Sequence, residues 1–140
     1  FTEYIENISN DLYQTYTIDK SLVKLELDID DIKLDVEISV PLGLILNELL
    51  TNSLKHAFPE GAGGVIKVDM HKCDGGYRLS VSDNGRGFPQ DLDYRNTDTL
   101  GMLIVNSLTE QIDGELSLDR SKGTKFTVKF KEKEYWNFEY

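Results

Sequence analysis

The sequence feature that most constrains the fold is the stretch from Pro41 to Pro59, which reads PLGLILNELLTNSLKHAFP. Its apolar residues recur every three or four positions and cover one broad face, the period of an amphipathic helix packed on a core. These residues are Leu42, Ile45, Leu46, Leu49, Leu50, Leu54 and Ala57. Proline suits the first turn of a helix and forces the chain out at its end, so we predict a helix bounded by the two prolines.

Three polar side chains lie on the opposite side of this predicted helix. Glu48, Asn52 and Lys55 follow one another at i, i+4 and i+7, which stacks a carboxylate, a carboxamide and an ammonium along one face. Asparagine is a poor helix former because its amide competes for the backbone, so Asn47 and Asn52 carry a cost that packing does not explain. This cost is the first indication of a functional site.

Length, charge and cysteine content bound the class of protein. A chain of 140 residues has the size of one domain with a sizeable core. The formal net charge of −10, from 25 acidic and 15 basic side chains, argues against non-specific binding to nucleic acid or to an anionic membrane surface. A phosphate ligand would therefore need a locally arranged site. Cys73 is the only cysteine, which excludes a disulfide framework and fits a reducing compartment.

The apolar runs and the start of the chain bear on its location. No apolar run approaches the ~20 residues of a membrane span, and the first residues lack the layout of a signal peptide. The chain starts with Phe1 rather than a methionine, so we expect an excised piece of a longer protein. We expect a cytoplasmic domain, which segments outside this chain could anchor to a membrane.

The remaining elements follow from changes in the hydrophobic period. Spacings of three and four predict helices at 1–16 and 100–112, while alternation of apolar and polar residues predicts strands. The predicted strands are 23–29, 32–38, 65–73, 77–83, 115–119 and 124–131. The segment 84–98 has neither period and is predicted to be a loop of functional length. Because hairpin connections dominate, we predict an α+β two-layer sandwich with a mixed, mostly antiparallel sheet and helices packed on one face.

A glycine-bearing segment, DNGRGFP, runs from Asp83 to Pro89. It begins where a predicted strand ends, so the Asp83 carboxylate would face a cleft and could accept a hydrogen bond from the exocyclic amine of adenine. Gly85 and Gly87 would let the backbone pass close to a flat ring. The alternative is a tight Asn-Gly turn that only joins two elements.

Two further segments carry glycine near the start of an element. Thr97 to Met102 opens a predicted helix, and the amino end of a helix binds phosphate through its free amide groups and the positive end of its dipole. Gly101 permits close approach there, but Asp98 or Thr99 would equally serve as an ordinary cap. The glycine within Ser121 to Thr124 is typical of a hairpin turn. Each signal is weak alone, whereas their order along the chain is specific.

Together with NELLTNSLKH, this ordered set resembles the ATP-binding domain of sensor histidine kinases, within the wider family of gyrase, the Hsp90 chaperones and the MutL proteins. The resemblance covers about 34–131 and implies a Bergerat-type ATP-binding fold. The short segment between the second and third motifs is similar to the subfamily with a compact ATP lid. The matches are Glu48 and Asn52 to the N box, Asp83, Gly85 and Gly87 to the G1 box, Leu100 and Gly101 to the G2 box, and Gly123 and Thr124 to the last glycine motif.

The resemblance implies a phosphate and metal site on the central helix. Asn52 would coordinate the Mg²⁺ that bridges the ATP phosphates, and Lys55 would pair with phosphate oxygens. In gyrase-like relatives the residue that matches Glu48 activates water, whereas kinases transfer the phosphoryl group to a histidine. The helix that begins with Leu100 and Gly101 would present its amino end to the triphosphate.

An adenine site and a lid are implied in the same way. Asp83 would hold the adenine amine, and Gly87 and Thr124 would bind the adenine edge through water. Residues 90–99 would form the lid. A phenylalanine-rich box is not recognisable, although Phe88 could supply one ring.

No phosphoacceptor is recognisable in the sequence. His56 lies on the central helix and His71 in a predicted strand, so we interpret both as structural. The resemblance places the acceptor histidine on an upstream helical domain. Residues 1–18 would then be the end of a dimerisation helix, 19–132 the ATP-binding domain and 133–140 a tail. The expected partners are that upstream domain, in a full-length homodimer, and a response regulator, with no nucleic acid.

We therefore predict the ATP-binding catalytic domain of a two-component sensor histidine kinase, which positions Mg-ATP for transfer of the γ-phosphoryl group to a histidine outside this chain. The isolated chain would only bind ATP. A second hypothesis is an ATPase or an anti-sigma-type serine kinase that uses Glu48 as a base. A third is a non-catalytic nucleotide-sensing module, because Thr99 stands where the first glycine of the G2 box is expected.

Overall fold

The computed structural model describes residues 1–17, 19–59, 61–86 and 99–131. None of the helices in those ranges combines the length and the apolarity that crossing a bilayer requires. The helices are α1 (Thr2–Tyr16), α2 (Val36–His56) and α3 (Leu100–Gln111), and the strands are β1 (Val23–Ile29), β2 (Gly64–Cys73), β3 (Gly76–Asp83), β4 (Glu115–Asp119) and β5 (Thr124–Phe130).

The five described strands form one sheet in the order β1-β2-β3-β5-β4. β1 and β2 pair in parallel, since α2 connects them as a crossover, while the other three pairs are antiparallel. The predicted α+β fold with a mixed, mostly antiparallel sheet is confirmed. So are the hairpin of β2 and β3 and the strand pair of β4 and β5.

The predicted strand at 32–38 is wrong. Residues 32–35 lie in no strand, and α2 already begins at Val36. The Asp35 side chain accepts a hydrogen bond from the Glu37 amide at 3.4 Å, and the Asp35 carbonyl accepts one from the Ser39 amide at 2.8 Å. A cap of this kind starts a helix, and it leaves Val36 70% exposed rather than on the face of a buried strand.

The predicted start of the central helix at Pro41 is wrong for the same reason. Pro41 is buried inside α2, one turn beyond the helix start. Having no N–H, it interrupts the hydrogen-bond ladder at one position only, which the packing of a long helix tolerates. α2 therefore contains 21 residues, and its first turn lies in the segment predicted as a strand.

The apolar face of α2 packs on the sheet and forms the core. Leu42, Ile45, Leu46 and Leu50 are all fully buried, as the period of three and four predicts. They share one cluster with the inward side chains of the three central strands. Those strand residues are Ile66, Val68, Met70, Leu79, Val81, Phe126, Val128 and Phe130.

The other two helices lie on either side of α2, on the same face of the sheet. α1 is held by the fully buried Ile5 and by the Tyr13 hydroxyl, which donates to the Val23 carbonyl at 2.6 Å. Gly43 of α2 allows α1 to come close, because a Cβ there would overlap the Tyr4 ring. The three described helices therefore form one layer, with α2 in the middle.

The opposite face of the sheet is polar, which explains why no described helix covers it. Glu26, Lys67, Ser82, Lys125 and Asp119 lie in register across the five strands. They line a shallow groove of about 470 Å³. Acidic side chains stand at the two edge strands and lysines stand further in, so neighbouring charges are of opposite sign.

The cap at Asp35 gives a test of where α2 begins. Asp35→Ala should lower the free energy of unfolding by about 1 kcal/mol, because the Glu37 amide loses its side-chain acceptor. Asp35→Asn, which keeps an acceptor, should cost much less, and Asp31→Ala controls for loss of an exposed charge nearby. Urea unfolding measures all three, and equal effects of Asp35→Ala and Asp31→Ala would contradict the cap.

Candidate functional site

The candidate site lies where the second half of α2 meets the end of β3 and the start of α3. After β3 the chain returns to α2, where the Arg86 amide donates to the Ala57 carbonyl at 2.9 Å. Toward the amino end of α2, the Glu48 carboxylate lies against the backbone of Gly101 in α3. The fold thus brings together three of the segments that the sequence analysis singled out.

Asp83 is the most constrained polar side chain of the site, at 6% exposure. One carboxylate oxygen accepts from the Ser53 hydroxyl at 2.8 Å, and the other accepts from the Gly85 amide at 3.0 Å. The Thr124 amide of β5 donates a third hydrogen bond. A carboxylate has about four acceptor positions, so the three described donors leave room for one from a ligand.

Burial raises the pKa of the Asp83 carboxyl above its ordinary value, and its three hydrogen bonds offset part of that rise. The charged form therefore carries a desolvation cost that the protein only partly repays. A carboxylate retained at such a cost, with its orientation fixed from three sides, is typical of a binding residue.

Two glycines permit the close approach of chain segments around Asp83. A Cβ on Gly85 would collide with the Ala57 carbonyl at the end of α2. Gly123 has a φ of +102°, and a Cβ there would collide with the Asp83 carbonyl. Gly85 was predicted to admit a flat ligand ring, and the structure adds that it admits the carboxyl end of α2.

Asn84 has a structural role beside this site. Its side-chain oxygen accepts from the Val65 amide at 2.8 Å, and its own amide donates to the Val65 carbonyl at 3.3 Å. These bonds join the end of β3 to the start of β2. The turn reading of Asn84-Gly85 and the ligand reading of Asp83 are therefore compatible.

Two polar residues of α2 contact different neighbouring helices. Glu48 and Asn52 are half-buried, and a Cβ on Gly101 would lie 3.0 Å from the Glu48 carboxylate. Glycine at 101 thus lets α3 begin beside this carboxylate. Lys55 is exposed, and its ammonium lies 5.1 Å from the centre of the Tyr16 ring in α1. The sequence placed these three side chains on one face but did not indicate which neighbouring helix each would contact.

The start of α3 agrees in position with the predicted G2 segment. Thr99 occupies the cap position, but its side chain makes no capping hydrogen bond to the helix. Leu100 is 73% exposed at the first helical position, and Gly101 is half-buried. The amino end of α3 thus lies next to Glu48, which fits a site for phosphate beside a metal ion.

Some predicted site residues cannot be placed. Gly87, Phe88 and most of the proposed lid at 90–99 lie outside the described residues, as does the tail at 133–140. Gly123 and Thr124, in contrast, are described and lie against Asp83.

Neither histidine lies in the helical context of a phosphoacceptor within the part of the chain that is described. His56 is exposed and ends α2. His71 lies in β2 between two aspartates of the neighbouring chain segment, 3.2 Å from Asp28 and 3.3 Å from Asp30. This position favours the structural interpretation of His71.

Sequence reasoning missed two residues of the site. Ser53 follows Asn52 directly, yet it falls on the buried face of α2, where a hydroxyl needs a partner. That requirement was a usable signal for a polar group in the facing sheet. Tyr16 gave no such signal, because its contact with Lys55 depends on how α1 packs on α2.

Comparison with known proteins places this geometry in a family. The family model described as "Histidine kinase-, DNA gyrase B-, and HSP90-like ATPase" matches residues 37–134. The Blue-light-activated histidine kinase 2 of Erythrobacter litoralis (strain HTCC2594) is 35% identical over 102 residues, 72% of this chain and 30% of that protein. The Anti-sigma F factor of Clostridium botulinum (strain Eklund 17B / Type B) is 29% identical over 85 residues, 61% of this chain and 54% of that protein.

A solved structure agrees with the described fold. The blue-light activated histidine kinase of Erythrobacter litoralis EL346 superposes with a TM-score of 0.86 at 30% identity, covering 92% of this chain and 41% of that one. This chain therefore spans less than half the length of the histidine kinases it resembles here. The match over 37–134 extends from the first turn of α2 past the end of β5, and so includes every described site residue discussed above except Tyr16. The chain belongs to the histidine kinase-, DNA gyrase B- and HSP90-like ATPase family.

Proposed function

We propose that this chain is the ATP-binding catalytic domain of a sensor histidine kinase. The observation that carries the proposal is the buried Asp83 carboxylate, fixed by three protein donors at a strand end and adjoining the helix that bears Glu48 and Asn52. Membership of the ATPase family supports ATP as the ligand. The similarity to histidine kinases supports a histidine as the phosphoryl acceptor.

Asp83 would select the base of the nucleotide. Its remaining acceptor position suits the exocyclic amine of adenine, whereas guanine has an oxygen there and would repel the carboxylate. The Ser53 hydroxyl and the Gly85 amide already fix the carboxylate, so little orientation is lost when the base binds. We assign Thr124 and Gly87 to the adenine edge, with Phe88 as a neighbouring ring.

Asn52 would hold the Mg²⁺ through its side-chain oxygen, with Glu48 close by. Oxygen donors from amides and carboxylates suit this hard cation, which keeps few protein ligands and takes the rest from phosphate and water. When bound, Mg²⁺ would neutralise charge on the phosphates. The amino end of α3 at Leu100 and Gly101 would add positive potential beside Glu48. Lys55 would add its charge by turning from α1 toward the phosphates.

The chemistry demanded of this domain is modest. Phosphoryl transfer depends on positioning and on stabilisation of charge, with little covalent participation by the protein. Asp83 at one end of the site and Asn52 with Glu48 at the other would fix the nucleotide at both ends. The nucleophilic histidine would come from an upstream dimerisation domain in a homodimer, and a response regulator would receive the phosphoryl group.

We propose that residues 1–18 are the end of a dimerisation helix, that residues 19–132 are the ATP-binding domain and that residues 133–140 are a tail. α1 packs against α2 through the fully buried Ile5. The helical segment and the ATP-binding unit thus share a core, which would let α1 transmit movement to the site.

A serine kinase or ATPase is the second candidate. It is favoured by the position of the Glu48 carboxylate at the amino end of α3 and by the similarity to the anti-sigma F factor. There, Glu48 would accept a proton from water or from a serine hydroxyl.

Magnesium binding gives the first test of the proposed function. The wild-type chain should bind Mg-ATP in the micromolar to millimolar range by titration calorimetry, and Asn52→Ala should lose the part of the affinity that EDTA removes. Asn47→Ala is the matched control, since it alters an asparagine of the same helix outside the proposed site. Absence of ATP binding by the wild-type chain would refute the proposal.

Asp83 gives a test with a defined pH dependence. Because the pKa of its carboxyl is raised in the fold, its contribution to stability is full below pH 3.8, the ordinary value, and is lost as the pH rises through the folded pKa. Asp83→Asn should therefore match the wild type at low pH and exceed its free energy of unfolding at neutral pH. The same substitution should weaken ATP binding about ten-fold or more, since a charged acceptor is lost. Urea unfolding across pH measures the first effect, and parallel pH profiles for the two proteins would contradict it.

Glu48 separates the two candidate functions. If the chain hydrolyses ATP or phosphorylates a serine with Glu48 as base, Glu48→Gln should lower the rate of steady phosphate release by roughly 10²-fold or more. A histidine kinase domain should instead release little phosphate on its own, with or without the substitution. When it is joined to its upstream domain, ATP should produce acid-labile, alkali-stable phosphate on the protein. Phosphate release by the wild type that depends on Glu48 would favour the second candidate.

A further inference from the structure

α1 runs parallel to α2, and the two helices touch at matching positions. Near its start, α1 places Tyr4 against Gly43. At its end, the Tyr16 ring lies 5.1 Å from the Lys55 ammonium. Tyr4 and Tyr16 are as far apart along α1 as Gly43 and Lys55 are along α2, so the helices keep one register over this length.

The direction of Lys55 on α2 differs from that of its polar neighbours. At 100° per residue, Asn52 is turned by about 40° from Glu48 in one direction and Lys55 by about 20° in the other. Glu48 contacts α3 at Gly101, whereas the turn to Lys55 is toward the side on which α1 lies. The ammonium therefore lies against α1, on the flank of α2 away from Asn52.

We propose that Tyr16 competes with the ATP phosphates for Lys55, so that α1 sets the affinity of the site for a triphosphate. This inference rests on the proposed function, in which Lys55 pairs with phosphate oxygens. The four-carbon stem of lysine lets the ammonium reach either the ring or a phosphate, but one ammonium cannot occupy both positions. Tyr16 is thus a positioning residue that acts through Lys55.

The size of the effect follows from the contact itself. A lysine over an exposed tyrosine ring is stabilised by an amount that corresponds to roughly two- to five-fold in an equilibrium constant. Tyr16 is 37% exposed and Lys55 is exposed, so this range applies. Adenosine lacks the phosphates, so its binding should not respond to the position of Lys55.

The experiment is titration calorimetry of the whole chain with Mg-ATP and, separately, with adenosine. Tyr16→Leu should raise the affinity for Mg-ATP roughly two- to five-fold and leave that for adenosine unchanged. Tyr16→Phe keeps the aromatic face and should change the affinity for Mg-ATP less than Tyr16→Leu does. In a Lys55→Met background, Tyr16→Leu should have no effect on either ligand.

Tyr13→Phe is the matched control on the same helix. It removes the hydroxyl that donates to the Val23 carbonyl and leaves the Tyr16 ring and the Lys55 ammonium unaltered. The ratio of Mg-ATP affinity to adenosine affinity should stay at the wild-type value in this variant. Thermal unfolding of each variant checks that it is folded at the titration temperature.

Several results would overturn the inference. One is an unchanged or lower affinity of Tyr16→Leu for Mg-ATP, and another is an equal change for ATP and adenosine. A third is persistence of the effect in the Lys55→Met background, or its appearance in Tyr13→Phe. Failure of the proposed function looks different, because the wild-type chain would then bind neither ligand, and the inference would fall with it.

Discussion

The hydrogen bond between Ser53 and Asp83 is the constraint on which the arrangement of the site depends. It joins the central helix to the central strand of the sheet inside the protein, and it holds a carboxylate that water would otherwise solvate. A buried carboxylate is tolerated only when donors surround it, and here they come from α2, from the turn after β3 and from β5. Gly85 and Gly123 are required because these chain segments pass too close to one another for a Cβ. Burial raises the pKa of the Asp83 carboxyl even though three donors surround it, so its charged form is less stable here than in water. Such a residue suits binding rather than stability.

The regular parts of this fold were predictable because their periods are long and unmixed. The apolar face of α2 and the two hairpins carry enough repeats for a helix or a strand to be distinguished. The segment at 32–38 is too short for that, since four alternating apolar residues fit a strand while Asp35 starts a helix. Strand order was not predictable either. The parallel pair of β1 and β2 and the place of β5 between β3 and β4 depend on contacts between residues far apart in the chain.

For the site, the sequence indicated which residues would lie close together, but not the contacts that allow their segments to approach one another. The order of the motifs placed Asp83 and Gly101 around the helix of Glu48 and Asn52, and the fold brings Gly101 to Glu48 and Asp83 to the same helix. Ser53 and Tyr16 were not identified from the sequence, because each makes its contact with a residue of another element. Lys55 shows the limit of reasoning from a helical wheel. A wheel gives the direction of a side chain on its own helix, but it does not show which neighbouring helix that side chain contacts.

The position of β5 between β3 and β4 also has a consequence for synthesis on the ribosome. β4 is made first but has β5 as its described partner, and β5 carries Phe126, Val128 and Phe130 into the cluster that covers α2. Until residue 130 has left the exit tunnel, the leucines of α2 and the inner face of β3 lack part of their cover. Apolar surface that is exposed in this way makes an incomplete chain prone to aggregate. The described core can be completed only when the last described strand has entered between β3 and β4.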